Sequence, residues 1–447
     1  MELHRKSRET IINWYKEDKN ALLVRGARQV GKTHLIRSVL NELHCDWLEI
    51  NLIEKPEAIS VLESVKSVDD MIIGLSTISG HTLKKGETVL FIDEVQKYKD
   101  MVTKIKFLVD EGSFRYILSG SLLGIELTNL ESAPVGYMNI LDMYPLDFEE
   151  FLQISNIDED TLSYLEQNFI DKTAVMDAVH DKMMEMFRRY LVVGGMPAAV
   201  SAFAETSDLN KVVEIHNNIL SLYKMDFTQY EENEKKLLIT QVYDLIPAEL
   251  QKQNRRFIVT DLKKGLRFDR MENTFLWLEK SGVAIGTYNV SAPCLPLLIN
   301  EKQSLFKLFL ADVGLLTTIY GMHTKAMILQ KDNKLNAGGI YENAIAQELK
   351  SKGYKTYYYN SNKNGELDFL IESNGHVLPL EIKSGKKYTI HSALNKSIEC
   401  EEYDIQEGIV LADCNVSSNG RIQYLPIYMI MFMKNDTETI NLDPVVF

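Results

Sequence analysis

The sequence predicts an α/β protein: a parallel sheet covered by helices, then a mainly helical stretch, then a second α/β unit. Three observations carry that reading. Short apolar runs alternate with helix-period segments over residues 1–143. A glycine-rich turn joins the first run to a helix, and a pair of acids ends a later run.

Taken in order, ALLVRG (21–26) is the first strand and ends in glycine. The turn that follows leads into a helical pattern through HLIRSVLNEL. Further β-like runs are DWLEINL (46–52), ETVLFIDE (87–94) and FRYILSGS (114–121). Residues 144–234 read as helical, through LDFEEFLQIS, MEMFRRYLVV and LNKVVEIHNNILSLYKMDF. Across 235–325 short helices meet a hairpin, an order that suits a winged helix-turn-helix. Residues 326–447 form the second α/β unit, with the helix IYENAIAQELKSKG ahead of strands KTYYYNS, ELDFLIES and VLPLEIKS. The run LPIYMIMFM (425–433) reads as a buried strand, too short for the ~18 residues of a membrane span.

Composition narrows the function classes. The 447 residues predict about three domains at roughly 150 residues each. With 45% apolar and 25% charged residues, the chain is neither disordered nor a disulfide-stapled miniature. Lys+Arg 49 against Asp+Glu 63 gives a net charge of −14, so any binding of nucleic acid needs a local basic patch. Cys45, Cys294, Cys400 and Cys414 are scattered, with no CxxC pair, and read as reduced thiols, most of them buried. The charged start MELHRKSRET lacks the apolar core of a signal peptide. The expectation is a soluble cytoplasmic protein with no membrane partner.

Gly26-Ala27-Arg28-Gln29-Val30-Gly31-Lys32-Thr33 fits G-x-x-x-x-G-K-[ST] between a strand and a helix, the context that phosphate loop requires. Glycine keeps Cβ atoms away from the phosphates, and loop amides with the helix N-terminus attract the anion. Lys32 would bridge the β- and γ-phosphates of ATP, and the Thr33 hydroxyl would ligate Mg²⁺. The alternative is an ordinary strand-to-helix turn with a surface lysine. Thr88-Val-Leu-Phe-Ile-Asp93-Glu94 is an apolar strand with two acids at its C-terminal end, where α/β ligands bind. Asp93 would hold Mg²⁺, and Glu94 would deprotonate the attacking water. Ser119, near the end of the next strand, is a candidate γ-phosphate sensor or a plain strand-end residue.

GARQVGKT, VLFIDE and YILSGS, with YPLDFEEFL, VVGGMPAAV, LADVGLL and GGIYENAIAQEL, together resemble one family. It is the bacterial and archaeal group of AAA-type P-loop ATPases joined to a C-terminal domain of poorly defined function. The resemblance spans nearly the whole chain. It implies an AAA+/ASCE-type core (1–143), a helical lid (144–234), a winged helix (235–325) and a restriction-endonuclease-like PD-(D/E)xK domain (326–447). Many relatives carry Gly-Arg after the sensor strand, whereas this chain has Pro134-Val135-Gly136-Tyr137. Arg115 or the Arg188-Arg189 pair are substitutes for that arginine. Gly194-Gly195-Met196-Pro197 resembles a turn lying near the nucleotide in related ATPases, and reads equally as a helix start.

In the C-terminal unit, Asp368 lies on one strand and Glu381-x-Lys383 on the next, so residues 381 and 383 leave the same face. Two carboxylates can hold Mg²⁺ while a lysine activates hydroxide for phosphodiester cleavage. The resemblance adds Glu342, on the preceding helix, to that metal site. The alternative is a solvated lattice of cross-strand charges. Residues 251–270 hold seven Lys/Arg and two Asp, a local +5, from which Arg255, Arg256, Lys263 and Lys264 are expected to contact a DNA backbone, or to form a solvated basic face that pairs with the acidic lid or a neighbouring subunit. His34 reads as a helix-surface residue, His391 as structural, and Asp312 as a turn cap or the partner of a basic neighbour.

The function expected is that of an ATP-binding, slowly hydrolysing ATPase whose winged-helix and nuclease-like domains bind or cut nucleic acid. Its alternative is an ATP-switched protein- or DNA-binding module with an inert nuclease-like domain, with a protein partner or self-association. A small-substrate kinase ranks below both, because the sequence shows no acceptor pocket.

Overall fold

A computed structural model of the chain describes residues 3–64, 67–121, 136–155, 157–229, 233–259, 268 and 271–435. The first sheet contains β1 (Ala21–Arg25), β2 (Trp47–Asn51), β3 (Val89–Asp93), β4 (Arg115–Gly120) and β5 (Met138–Asp142). Their order is β2-β3-β4-β1-β5 and every pairing is parallel. β4 is inserted between β1 and β3, so the strand feeding the glycine-rich turn and the strand ending in the acid pair do not touch.

Alternation along β1 explains the two cores that sandwich this sheet. Leu22 and Val24 join one cluster with Val89, Phe91, Ile117, α1 (Ser7–Glu17) and α2 (Lys32–Glu42). Ala21 and Leu23 join the other with Leu90, Ile92, Leu118 and the helices Glu57–Ser64, Val68–Ser79 and Asp100–Glu111. The first cluster does not stop at the sheet. It runs through Phe187 and Tyr190 of the helix Asp177–Val193 to Phe369, Leu380 and Ile382.

The second sheet has eight strands in the order β12-β13-β11-β10-β9-β8-β6-β7. These are β6 (Ala284–Val290), β7 (Glu301–Leu310), β8 (Tyr357–Ser361), β9 (Gly365–Ser373), β10 (His376–Lys383), β11 (Gly408–Ala412), β12 (Ser417–Asn419) and β13 (Ile422–Pro426). The hairpin expected to form a wing, β6–β7, pairs in parallel with β8. It therefore extends the C-terminal sheet instead of standing free, because β6 carries buried residues along its length and needs a neighbour on each side. The run 425–433 also differs from expectation. β13 ends at Pro426, and Ile427–Phe432 is a 3₁₀ turn buried on all sides, where an unbroken apolar run carries no period to favour a strand. All four cysteines are free thiols, and against expectation only Cys414 is buried. Among the described residues no helix is long and apolar enough to cross a membrane.

Candidate functional site

The loop between β1 and α2 is shaped by two glycines with positive φ. Gly26 (φ 150) lies so close to the chain after β5 that a Cβ would stand 2.2 Å from the Met143 carbonyl oxygen. Gly31 (φ 92) adopts the left-handed conformation that ends the loop, and α2 begins at Lys32 with the unpaired amides of its first turn at that point. Lys32 is buried and folds back over the loop, its Nζ donating to the Gly26 and Ala27 carbonyls at 2.9 and 2.8 Å. Burial lowers its ammonium group to about 8, and Glu94 and Asp93 pull it back upward.

Across β4, the Asp93 carboxylate gathers the remaining polar groups. Its Oδ2 accepts from Thr33 Oγ1 at 3.0 Å and from Asn51 Nδ2 at 3.4 Å. Its Oδ1 accepts from the buried Ser119 hydroxyl and from the Glu94 amide at 3.0 Å. The inserted strand is what puts Ser119 there, and its hydroxyl orients the acid. Glu94 has left-handed backbone (φ 57), which turns it out of the strand direction, and its carboxylate accepts from Gln96 Nε2. Thr33 and Asp93 together form an all-oxygen donor set of the kind Mg²⁺ takes.

The turn Gly194–Pro197 lies against this loop. A Cβ on Gly195 would fall 2.0 Å from the Leu146 carbonyl oxygen, and the Gly195 amide donates to Asp312 at 2.6 Å. Asp312 also caps the helix Val313–Ile319 by accepting from the Leu315 amide, matching its expected role. Pro197 starts its helix beside Gly31, and the two help line an open cleft of about 420 Å³ with His4, Arg8, His34 and Ser201. Buried Arg5 fixes that rim, donating to the Val30 and Tyr144 carbonyls and pairing with Glu150.

The expected substitutes for the missing arginine lie elsewhere. Arg115 begins β4 at the opposite end of the sheet and donates to the Asp18 carbonyl. Arg188 lines a cleft with Tyr341, Ser384 and Asp413, and Arg189 pairs with Glu185 at 2.5 Å. Pro134 and Val135 fall outside the described residues. The arginine at the loop is Arg28, paired with Asp226 at 2.8 Å. Asp226, Asn51, Gln96 and Arg5 escaped the sequence reading. A lone buried acid beside Tyr223 and Phe227 on an apolar helix face was the available signal for Asp226.

In the C-terminal sheet the antiparallel register of β9 and β10 sets Asp368 beside Glu381. Both are buried. Asp368 Oδ2 accepts from the Ile382 amide at 2.8 Å, and Lys383 Nζ donates to Glu381 Oε1 at 2.6 Å. Burial and the neighbouring Asp368 raise the Glu381 carboxyl, and its Oε2 is buried without a partner. Asp368, Lys383 and Arg255 line one open cleft of about 260 Å³ with Asn336, Gly338 and Lys387.

Glu342 departs from the expected metal set. It is buried and held by Arg255 and by Lys307, whose Nζ lies 3.5 Å from its Oε2. Lys307 is fully buried, pairs also with Glu366 at 2.7 Å, and was not anticipated, although a single lysine in the apolar run LFKLFL marks it. Among the described residues no group of three or more His, Cys, Asp or Glu is placed to hold a metal ion. Two cations neutralise Glu342, although its Oε1 receives no well-directed hydrogen bond, and Asp368 and Glu381 remain as a pair. Arg255 thus faces the C-terminal acids instead of an exposed wing, and Arg256 buries its Nε without a partner. Lys263 and Lys264 lie outside the described residues. His391 is structural, with Asn395 and the Tyr424 hydroxyl on its two ring nitrogens.

Comparison with known proteins divides the chain in three. Residues 18–152 match the family described as an AAA domain, 184–326 the domain of unknown function DUF8612, and 337–430 the domain of unknown function DUF4143. Among solved structures, the Walker-type ATPase PABY2304 of Pyrococcus abyssi is similar at 16% identity, covering 71% of this chain and 96% of that one with a TM-score of 0.43. AMPPCP-bound DnaA from Aquifex aeolicus is similar at 11% identity, covering 57% and 75% with a TM-score of 0.27. The Thermotoga maritima RuvB Holliday junction branch migration motor follows at 15% identity, covering 63% and 89% with a TM-score of 0.27. No curated protein matches the chain in sequence.

Proposed function

From the AAA-type P-loop ATPase domain as premise, we propose that the chain binds and hydrolyses ATP and couples the nucleotide to a polyanion-binding cleft in its C-terminal sheet. One observation carries the first half: Asp93 accepts from both Thr33 and Ser119, with Lys32 in the adjoining loop. The loop amides and the start of α2 receive the phosphates, and Lys32 exchanges its two carbonyl partners for β- and γ-phosphate oxygens. Thr33 and Asp93 are the residues that would hold Mg²⁺, which neutralises phosphate charge when bound. Glu94 takes a proton from the attacking water as its oxygen bonds to the γ-phosphorus and the bond to ADP breaks.

The second half rests on Asp368 and Lys383 lining one cleft with Arg255 and Lys387, and on Glu381, which accepts from Lys383 behind it. Cationic side chains there suit phosphodiester oxygens. The orphaned Glu381 Oε2 and the carboxylate beside it suit a hard cation, which would polarise a scissile phosphate. A second reading, an inert docking cleft, is favoured by Glu342, whose two cations withhold it from that pair. A cleavage assay on labelled single- and double-stranded DNA and RNA with Mg²⁺ or Mn²⁺, with and without ATP, separates the two. Cleavage by the wild type that is lost in Lys383→Ala supports a nuclease. ATP-modulated binding without cleavage supports the docking cleft.

A further inference from the structure

Arg28, third in the phosphate loop, stands between two side chains. Its Nη1 is 2.8 Å from Asp226 Oδ1, and its Nε is 3.5 Å from the Ser121 hydroxyl just beyond β4. Asp226 belongs to the helix Leu209–Gln229, outside the ATPase sheet. That helix is pinned to the loop one turn earlier, where the Tyr223 hydroxyl donates to the Arg28 carbonyl oxygen at 3.1 Å. Phe227 anchors the next position edge-on against Trp277 and Tyr243, with ring centroids 5.3 and 5.2 Å away.

The Arg28–Asp226 contact has an unusual quality. Asp226 is buried, yet its Oδ1 receives no well-directed hydrogen bond despite the short ion-pair distance. A buried carboxylate held by charge alone is poorly compensated. Its surroundings also carry the groups that handle phosphate. Burial raises the Asp226 carboxyl, Arg28 opposes that, Glu94 adds to it, and Lys32 opposes it again. Arg28, Lys32, Glu94 and Asp226 therefore share one electrostatic neighbourhood.

We propose that Arg28 is a catalytic arginine acting on the terminal phosphate within its own chain, and that Asp226 is the positioning residue that holds it aside until a triphosphate binds. The proposal rests on the ATP-hydrolysing reading above. A γ-phosphate brings more negative charge than one carboxylate and offers the planar guanidinium a two-point contact. Once Arg28 turns to it, Asp226 is left buried, unpaired and close to an anion. The repulsion pushes on the helix Leu209–Gln229, so a triphosphate and a diphosphate favour different positions of the middle region.

The test measures ATP hydrolysis and calorimetric affinities for ATP and ADP in the wild type, Arg28→Ala, Arg28→Lys and the near-isosteric Asp226→Asn. Arg28→Ala should lower kcat by about 10²–10³-fold, the usual loss for one charge-stabilising donor, with ADP affinity unchanged. Arg28→Lys should not restore the rate, because a point charge lacks the two-pronged geometry. Asp226→Asn should raise ATP affinity relative to ADP by about tenfold, within the usual range of coupling between sites. Wild-type turnover in Arg28→Ala, or an unchanged ATP-to-ADP affinity ratio in Asp226→Asn, overturns this proposal alone if the wild type binds ATP. Failure of the wild type to bind ATP overturns the ATP reading with it.

Discussion

Glu342 and Glu348 stand on one helix, Gly338–Ser351, yet serve opposite parts of the molecule. Glu342 is held by Arg255 and Lys307 beside the C-terminal acids. Glu348, less than two turns on, accepts from the Phe148 amide at 2.6 Å and from the Tyr190 hydroxyl at 3.2 Å, just after the ATPase sheet. One helix therefore contacts both the cations beside the C-terminal acids and the segment that follows the ATPase sheet.

Glu348 gives that link a pH signature. Burial raises its carboxyl, with Asp147 adding to the effect. The native state then keeps a proton that the unfolded chain releases above about pH 4.3, so stability declines as pH rises from there toward the raised native value. Glu348→Gln keeps a side-chain oxygen for the Phe148 amide but cannot ionise. Urea denaturation between pH 5 and 8 should show a flatter pH dependence in the variant than in the wild type.

Gly195→Ala tests the turn beside the phosphate loop. The new methyl would fall 2.0 Å from the Leu146 carbonyl oxygen and 2.7 Å from its nitrogen, both backbone atoms that cannot swing aside. Destabilisation at or above the usual ~1–3 kcal/mol for overpacking is expected, read as a lower denaturation midpoint.

Arg255→Ala should destabilise the C-terminal sheet as well as weaken polyanion binding, since it strips one of two partners from buried Glu342. Adding Glu342→Gln should restore part of the stability but none of the binding. The double-mutant cycle on denaturation midpoints reads the first, and salt-dependent DNA binding the second.

Much of this arrangement was legible in the chain because local sequence dictated it. Gly26, Gly31, Lys32, Thr33, Asp93 and Glu94 follow a spacing that only a strand–loop–helix and an acid-tipped strand satisfy, and both elements formed where expected. The pairing of Asp368 with Glu381 followed from strand alternation and a short hairpin. What escaped depends on contacts remote in sequence. Asp226 reaches Arg28 across 198 positions, and β6 finds β8 across the helices between them. The wing failed for that reason: a hairpin's own residues do not say which sheet it will extend. Arg255 read as a basic surface residue because Glu342, its partner 87 positions on, is invisible to a local charge count.

Nucleotide binding and turnover by the wild type, Lys32→Ala and Glu94→Gln test the central claim most directly, using calorimetry with Mg²⁺·ATP and a phosphate-release assay on the same preparations. The account predicts that the wild type binds and hydrolyses ATP. Glu94→Gln should bind it with turnover lowered by about 10²–10⁴-fold, the usual worth of a general base, and Lys32→Ala should lose binding. Wild-type affinity for ATP in Lys32→Ala would contradict it.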